Sequence, residues 1–96
     1  MELEWDETKR EDTLRERGLD FADVVRFRFE RQYTALDNRL AYGEPRFVST
    51  GYLDDRLCVL CWTTRDDKFR IISLRKANER EQKRYRDSSD SPSAAD

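Results

Sequence analysis

The chain has 96 residues, enough for one small domain and not for two hydrophobic cores. Its 19 Lys+Arg and 21 Asp+Glu leave a net charge of −2 although 42% of residues are charged, and histidine is absent, which excludes imidazole acid–base catalysis and histidine metal ligation. Only 36% of residues are hydrophobic, so the predicted core is thin, but 11% aromatic content suffices to build one.

In chain order, residues 3–5 read as a short strand or lead-in. Asp6 is an N-cap residue for a helix whose buried side is carried by Leu14 and which ends near Gly18. Asp20 caps a second helix that presents Phe21, Val24, Val25 and Phe27. Residues 33–39 form a weak strand, followed by the breaks Tyr42-Gly43 and Glu44-Pro45. Residues 46–53 alternate as a strand, Asp54-Asp55 makes a turn, and residues 57–64 suit a central strand. Asp66-Asp67 turns into a further strand at 69–74, giving an antiparallel meander. A charged helix then runs to about Arg86, with Ala77, Glu81 and Tyr85 on one face. Residues 88–96 lack an apolar anchor and are expected to be disordered. The predicted organisation is a single domain over 1–86 with an acidic, Ser-rich tail over 87–96. Its class is α+β, with N-terminal helices and a C-terminal helix packed on an antiparallel sheet.

Cys58 and Cys61 form a C-x-x-C, but inside a predicted strand residues three apart face opposite sides, so the pair reads as core rather than metal site. The longest apolar run, residues 57–62, is far below the roughly 20 residues that span a bilayer. The acidic N-terminus lacks the positive flank of a secretory signal. A cytoplasmic protein with no membrane partner is expected. Charge is unevenly spread: residues 62–86 carry nine Lys or Arg against four Asp or Glu, a stretch that attracts polyanions.

Several motifs fall in register. They are Trp5-Asp6-x-x-Lys9, Gly18-Leu19-x-Phe21, Gly43-Glu44-x-Arg46, Gly51, Thr63-x-Arg65, and Arg70-Ile71-Ile72-Ser73-x-Arg75-x-Ala77, followed by Glu81 and Tyr85. In these residues the chain resembles, over about 4–86, the BrnT toxins of bacterial and archaeal type II toxin–antitoxin systems. It departs from them at Arg17, where the family usually has histidine, at Thr13, and at Arg28. The resemblance implies a RelE-like fold and metal-independent RNA cleavage that halts translation. It further implies neutralisation by a BrnA-like antitoxin, a dimeric ribbon-helix-helix protein through whose complex alone operator DNA is met. No cofactor and no metal are expected.

RNA cleavage without metal needs a base for the 2′-OH, positive charge on the phosphate, and an acid for the leaving 5′-oxygen. Arginine suits the second task because its planar fork binds phosphate oxygens bidentately. The candidate catalytic residues are Glu44 as base, with Arg46, Arg65 and Arg75. Candidate RNA contacts are Lys68, Arg70 and Tyr85, of which Lys68 and Tyr85 are also weaker proton carriers. Glu44 and Arg46 share a strand face, whereas Arg70 has the opposite parity to Arg75 and so is predicted to point away from it. Competing readings pair Arg75 with Glu44 or Glu81 as a structural ion pair, and make Tyr85 a packing residue. The alternative function is a catalytically weak or inactive module that docks an antitoxin or another protein partner.

Overall fold

A computed structural model describes residues 2–30, 33–37 and 45–90. The chain runs β1 (Glu2–Trp5), α1 (Glu7–Arg17), a 3-10 helix (Phe21–Arg26), β2 (Thr34–Asp37), β3 (Arg46–Leu53), β4 (Arg56–Arg65), β5 (Lys68–Lys76) and α2 (Glu79–Asp90). The strands form one sheet in the order β1-β5-β4-β3-β2. The α+β class is as predicted. Strands β2 to β5 pair antiparallel, and β1 makes the sheet mixed by lying parallel to β5, with Glu4 opposite Arg70. Tight turns force antiparallel pairing only between consecutive strands, and β1 is separated from β5 by most of the chain.

The meander follows from its turns and its alternation. Asp54 (φ 58°), Asp66 (φ 52°) and Asp67 (φ 63°) take the left-handed backbone that aspartate tolerates and two-residue hairpins need. On β4, Cys58, Leu60 and Trp62 face the layer containing α1 and the 3-10 helix, while Val59, Cys61, Thr63 and Arg65 face the side where α2 packs. Cys58 and Cys61 thus point to opposite faces, and burial pushes the Cys58 thiol pKa up. The core joins Leu19, Phe21, Val24 and Phe27 to Leu53, Leu60, Ile71 and Leu74. Within it the fully buried Ser49 hydroxyl is satisfied by Trp62 Nε1 at 2.9 Å and Thr34 Oγ1 at 2.7 Å.

Two helical expectations change. Leu14 is 44% exposed and α1 buries no residue, so the helix is not held by an apolar face. Its sequence has a single apolar side chain, and it is fixed at its ends instead. Asp6 accepts from Lys9 N at 3.1 Å, and Arg10 forks onto Asp20 at 2.8 and 3.2 Å. Arg17 Nη1 donates to the Leu74 carbonyl at 2.9 Å, and Gly18 closes the helix at φ 69°. The second helix is a 3-10 turn: Phe27 N bonds Val24 O, and the next residue, Arg28, already bonds β3 through Tyr52 O at 2.8 Å. That early docking leaves no room for a further α turn. It also explains Gly51, where any Cβ would collide with the Arg28 carbonyl.

Within β5 the register slips by one residue against Cys61/Trp62 of β4. Ser73 pairs with Cys61, but Ile71 pairs with Trp62, leaving Ile72 as the extra residue of a bulge. The α2 helix opens with a reciprocal cap in which Asn78 Oδ1 accepts from Glu81 N at 2.8 Å and Glu81 Oε1 accepts from Asn78 N at 2.9 Å. It runs to Asp90, past the predicted end near Arg86.

Candidate active site

The bulge decides which arginines share a face. Arg70 pairs with Thr63 and Arg75 with Val59, and both partners sit on the α2 side of β4. The predicted divergence of Arg70 from Arg75 is therefore corrected, because Ile72 absorbs one residue and inverts the parity between them.

On that face, at the end of the sheet beside the first turn of α1, a cleft of about 170 Å³ is lined by Arg46 of β3, Arg65 of β4 and Arg70 of β5, with Lys9, Asp6 and the Ile71-Ile72 bulge. Among the described residues four cationic side chains and one carboxylate thus meet there, and Asp6 is already engaged in capping α1. Arg70 Nη1 is steadied by Glu4 Oε2 at 3.1 Å across the parallel β1–β5 pair. The fully buried Thr63 hydroxyl donates to the Pro45 carbonyl, which fixes the backbone entering β3 next to Arg46. Lys68 is the strand partner of Arg65 and reaches Glu2 at 3.4 Å.

Other predicted site residues lie elsewhere. Arg75 is on the same face but further along it, forked onto Glu81 with both N···O distances 2.8 Å. That fork holds the Glu81 carboxyl pKa down to about 2 and raises that of the guanidinium. Tyr85 is buried against Tyr33 (centroids 4.2 Å apart) and Tyr52, and donates to Glu30 Oε1 at 2.9 Å. Burial and that bond push its phenol pKa up. It clamps α2 to the sheet and does not line the arginine cleft. Glu44 lies outside the described residues. Lys9 and Asp6 were not among the predicted site residues. Their signal was Trp5-Asp6-x-x-Lys9, whose three-residue spacing puts both on one turn of α1 beside the end of β1.

Guanidinium groups from three strands, with an ammonium from a helix start, have the charge and donor geometry that suit phosphate oxygens. A family model described as the ribonuclease toxin BrnT of type II toxin–antitoxin systems matches residues 5–81. The chain belongs to this family. The BrnT match opens at Trp5 and spans Lys9, Arg46, Arg65, Arg70 and Arg75, so every described cation of the cleft lies inside it, whereas Tyr85 lies beyond it. A comparison with curated proteins finds no match. BrnT membership implies an antitoxin partner. Among the described residues no helix is long and apolar enough to cross a membrane.

Proposed function

We propose that the chain is a metal-independent endoribonuclease that cleaves RNA at the Arg46–Arg65–Arg70 cleft, inhibits translation in the cytoplasm, and is neutralised by a BrnA-like antitoxin. The observation that carries this reading is the convergence of three guanidiniums and the Lys9 ammonium on one small cleft. The RNA 2′-oxygen attacks the adjacent phosphorus, the bond from phosphorus to the 5′-oxygen breaks, and a 2′,3′-cyclic phosphate and a 5′-hydroxyl result. Arg46, Arg65 and Arg70 stabilise the charge that grows on the phosphoryl oxygens, a role worth about 3–4 kcal/mol per preorganised donor. Arg75, with Lys68, extends the contact to neighbouring phosphates, and Tyr85 supports the RNA side of α2.

Glu44, which directly precedes Pro45 in the sequence, is assigned as the base for the 2′-OH. Lys9 protonates the 5′-oxygen, since arginine holds its own proton too tightly for that task. Among the described residues the lining has one carboxylate against four cations, a balance that disfavours a divalent ion and lets the cations take the neutralising role. The toxin unit, 1–86, contains all of these residues. Its antitoxin, a dimeric ribbon-helix-helix protein, inhibits by laying acidic side chains over the cleft and brings operator DNA into the complex.

The test is cleavage of single-stranded RNA by the purified chain, free of antitoxin and with EDTA present. Products ending in a cyclic phosphate support the assignment. Absence of cleavage by the folded protein, or rates restored only by added divalent metal, overturns it.

A further inference from the structure

A second cationic cleft, of about 660 Å³, lies at the opposite end of the sheet, between the β3–β4 turn, the end of β5 and α2. Arg28, Arg56, Lys76 and Arg86 line it, and all four are exposed. Several other arginines among the described residues are paired: Arg10 with Asp20, Arg26 with Asp54, Arg70 with Glu4 and Arg75 with Glu81. Among the described residues, none of the four cleft cations takes part in such a salt bridge. Of the two carboxylates in the lining, Glu30 accepts the Tyr85 hydroxyl at 2.9 Å. The Tyr52 ring is 38% exposed at the wall and is held edge-on to Tyr85 at 5.7 Å.

Four cations against two carboxylates leave the lining net positive, and a polyanion that binds there gains from that charge and releases its condensed ions. Arg56 and Arg65 mark the two ends of β4, nine residues apart, which is about 30 Å at strand rise. No mononucleotide reaches both clefts, so a ligand that uses both is a polymer. An exposed tyrosine ring among cations suits a base stacked beside its phosphates. We propose that this cleft is a second contact site for single-stranded RNA, holding the strand several nucleotides from the cleavage cleft. The choice of RNA as ligand rests on the function proposed above; the geometry does not.

The test measures binding of a labelled 2′-O-methyl oligoribonucleotide, which cannot be cleaved, to the full chain at several salt concentrations. The R28Q/R56Q/K76Q/R86Q variant is expected to lose tenfold or more in affinity at low salt. Its log Kd against log salt should flatten by about 3, given roughly 0.7 per single-strand phosphate contact. The milder R28Q/R86Q pair, chosen to spare the strands, should flatten it by about 1.4. Cleavage of the dinucleotide UpA, too short to reach this cleft, should match wild type in both variants. Unchanged affinity and slope overturn the proposal. So does intact RNA binding combined with lost binding of a poly-glutamate peptide, which would make the cleft a site for an acidic protein segment. Failure of wild type to cleave UpA, with the binding loss still present, defeats the proposed catalysis and leaves this site standing.

Discussion

Removing the Arg65 guanidinium deletes a phosphate-matching fork without touching the core, because Arg65 is exposed at the last position of β4. Arg65→Ala is therefore expected to slow single-turnover RNA cleavage about 10²–10³-fold, the usual effect of losing one preorganised donor, while Tm stays within about 4 °C. Arg65→Lys keeps charge but not the fork and should fall between the two in the same assay. Glu81 carries a different kind of prediction. Its pKa is lowered in the folded state to about 2 by Arg75, so its contribution is complete above the ordinary carboxylate value near 4.5 and disappears as pH falls towards 2. Arg75 is 42% exposed, and solvent screening limits the pair to about 1 kcal/mol. Denaturant titration of Glu81→Gln should show that loss at pH 7 and only a small part of it at pH 2. An equal loss at both values would place the effect in the helix cap rather than in the ion pair.

The elements divide into those set by local sequence and those set by docking. β3, β4 and β5 were legible because the Asp-Asp pairs accept left-handed backbone and the residues between them alternate. The α1 caps were legible for the same local reason. Gly18→Ala, at φ 69°, should cost about 1 kcal/mol by denaturant titration, and Gly18→Asn less. The 3-10 form of residues 21–26 was not legible, since it is imposed by Arg28 docking on Tyr52. Gly51→Ala tests that docking: the Arg28 carbonyl leaves no space for a methyl, and a loss of about 1–3 kcal/mol is expected. Nor does the run Arg70-Ile71-Ile72-Ser73 announce its bulge, because both isoleucines fit a strand and only the β4 partner decides which is extra. That single residue brings Arg70, already a candidate RNA contact but expected to point away from Arg75, onto the same face as Arg75 and into the arginine cleft. The assignment of Arg46 and Arg65 to one surface could be read from the strands, whereas Lys9 joined them only through the parallel placement of β1.

At the scale of the molecule, a net charge of −2 coexists with two cationic clefts because the acids are spent elsewhere. Many of them pair with arginines along α1, the 3-10 helix and the β3–β4 turn, as Asp20 does with Arg10 and Asp54 with Arg26. The mixed sheet is what brings the ends of this gradient together, since β1 carries Glu4 and the start of α1 alongside the basic β5. The chain has no histidine, and Arg17 ties α1 to the Leu74 carbonyl. The most direct test of the account is the single-turnover cleavage rate of one RNA in EDTA, compared for wild type, Arg65→Ala/Arg70→Ala and Arg75→Ala, each checked for fold by circular dichroism. The account predicts a loss of at least 10²-fold for the double variant and a smaller loss for Arg75→Ala. Equal rates for wild type and the folded double variant would contradict it.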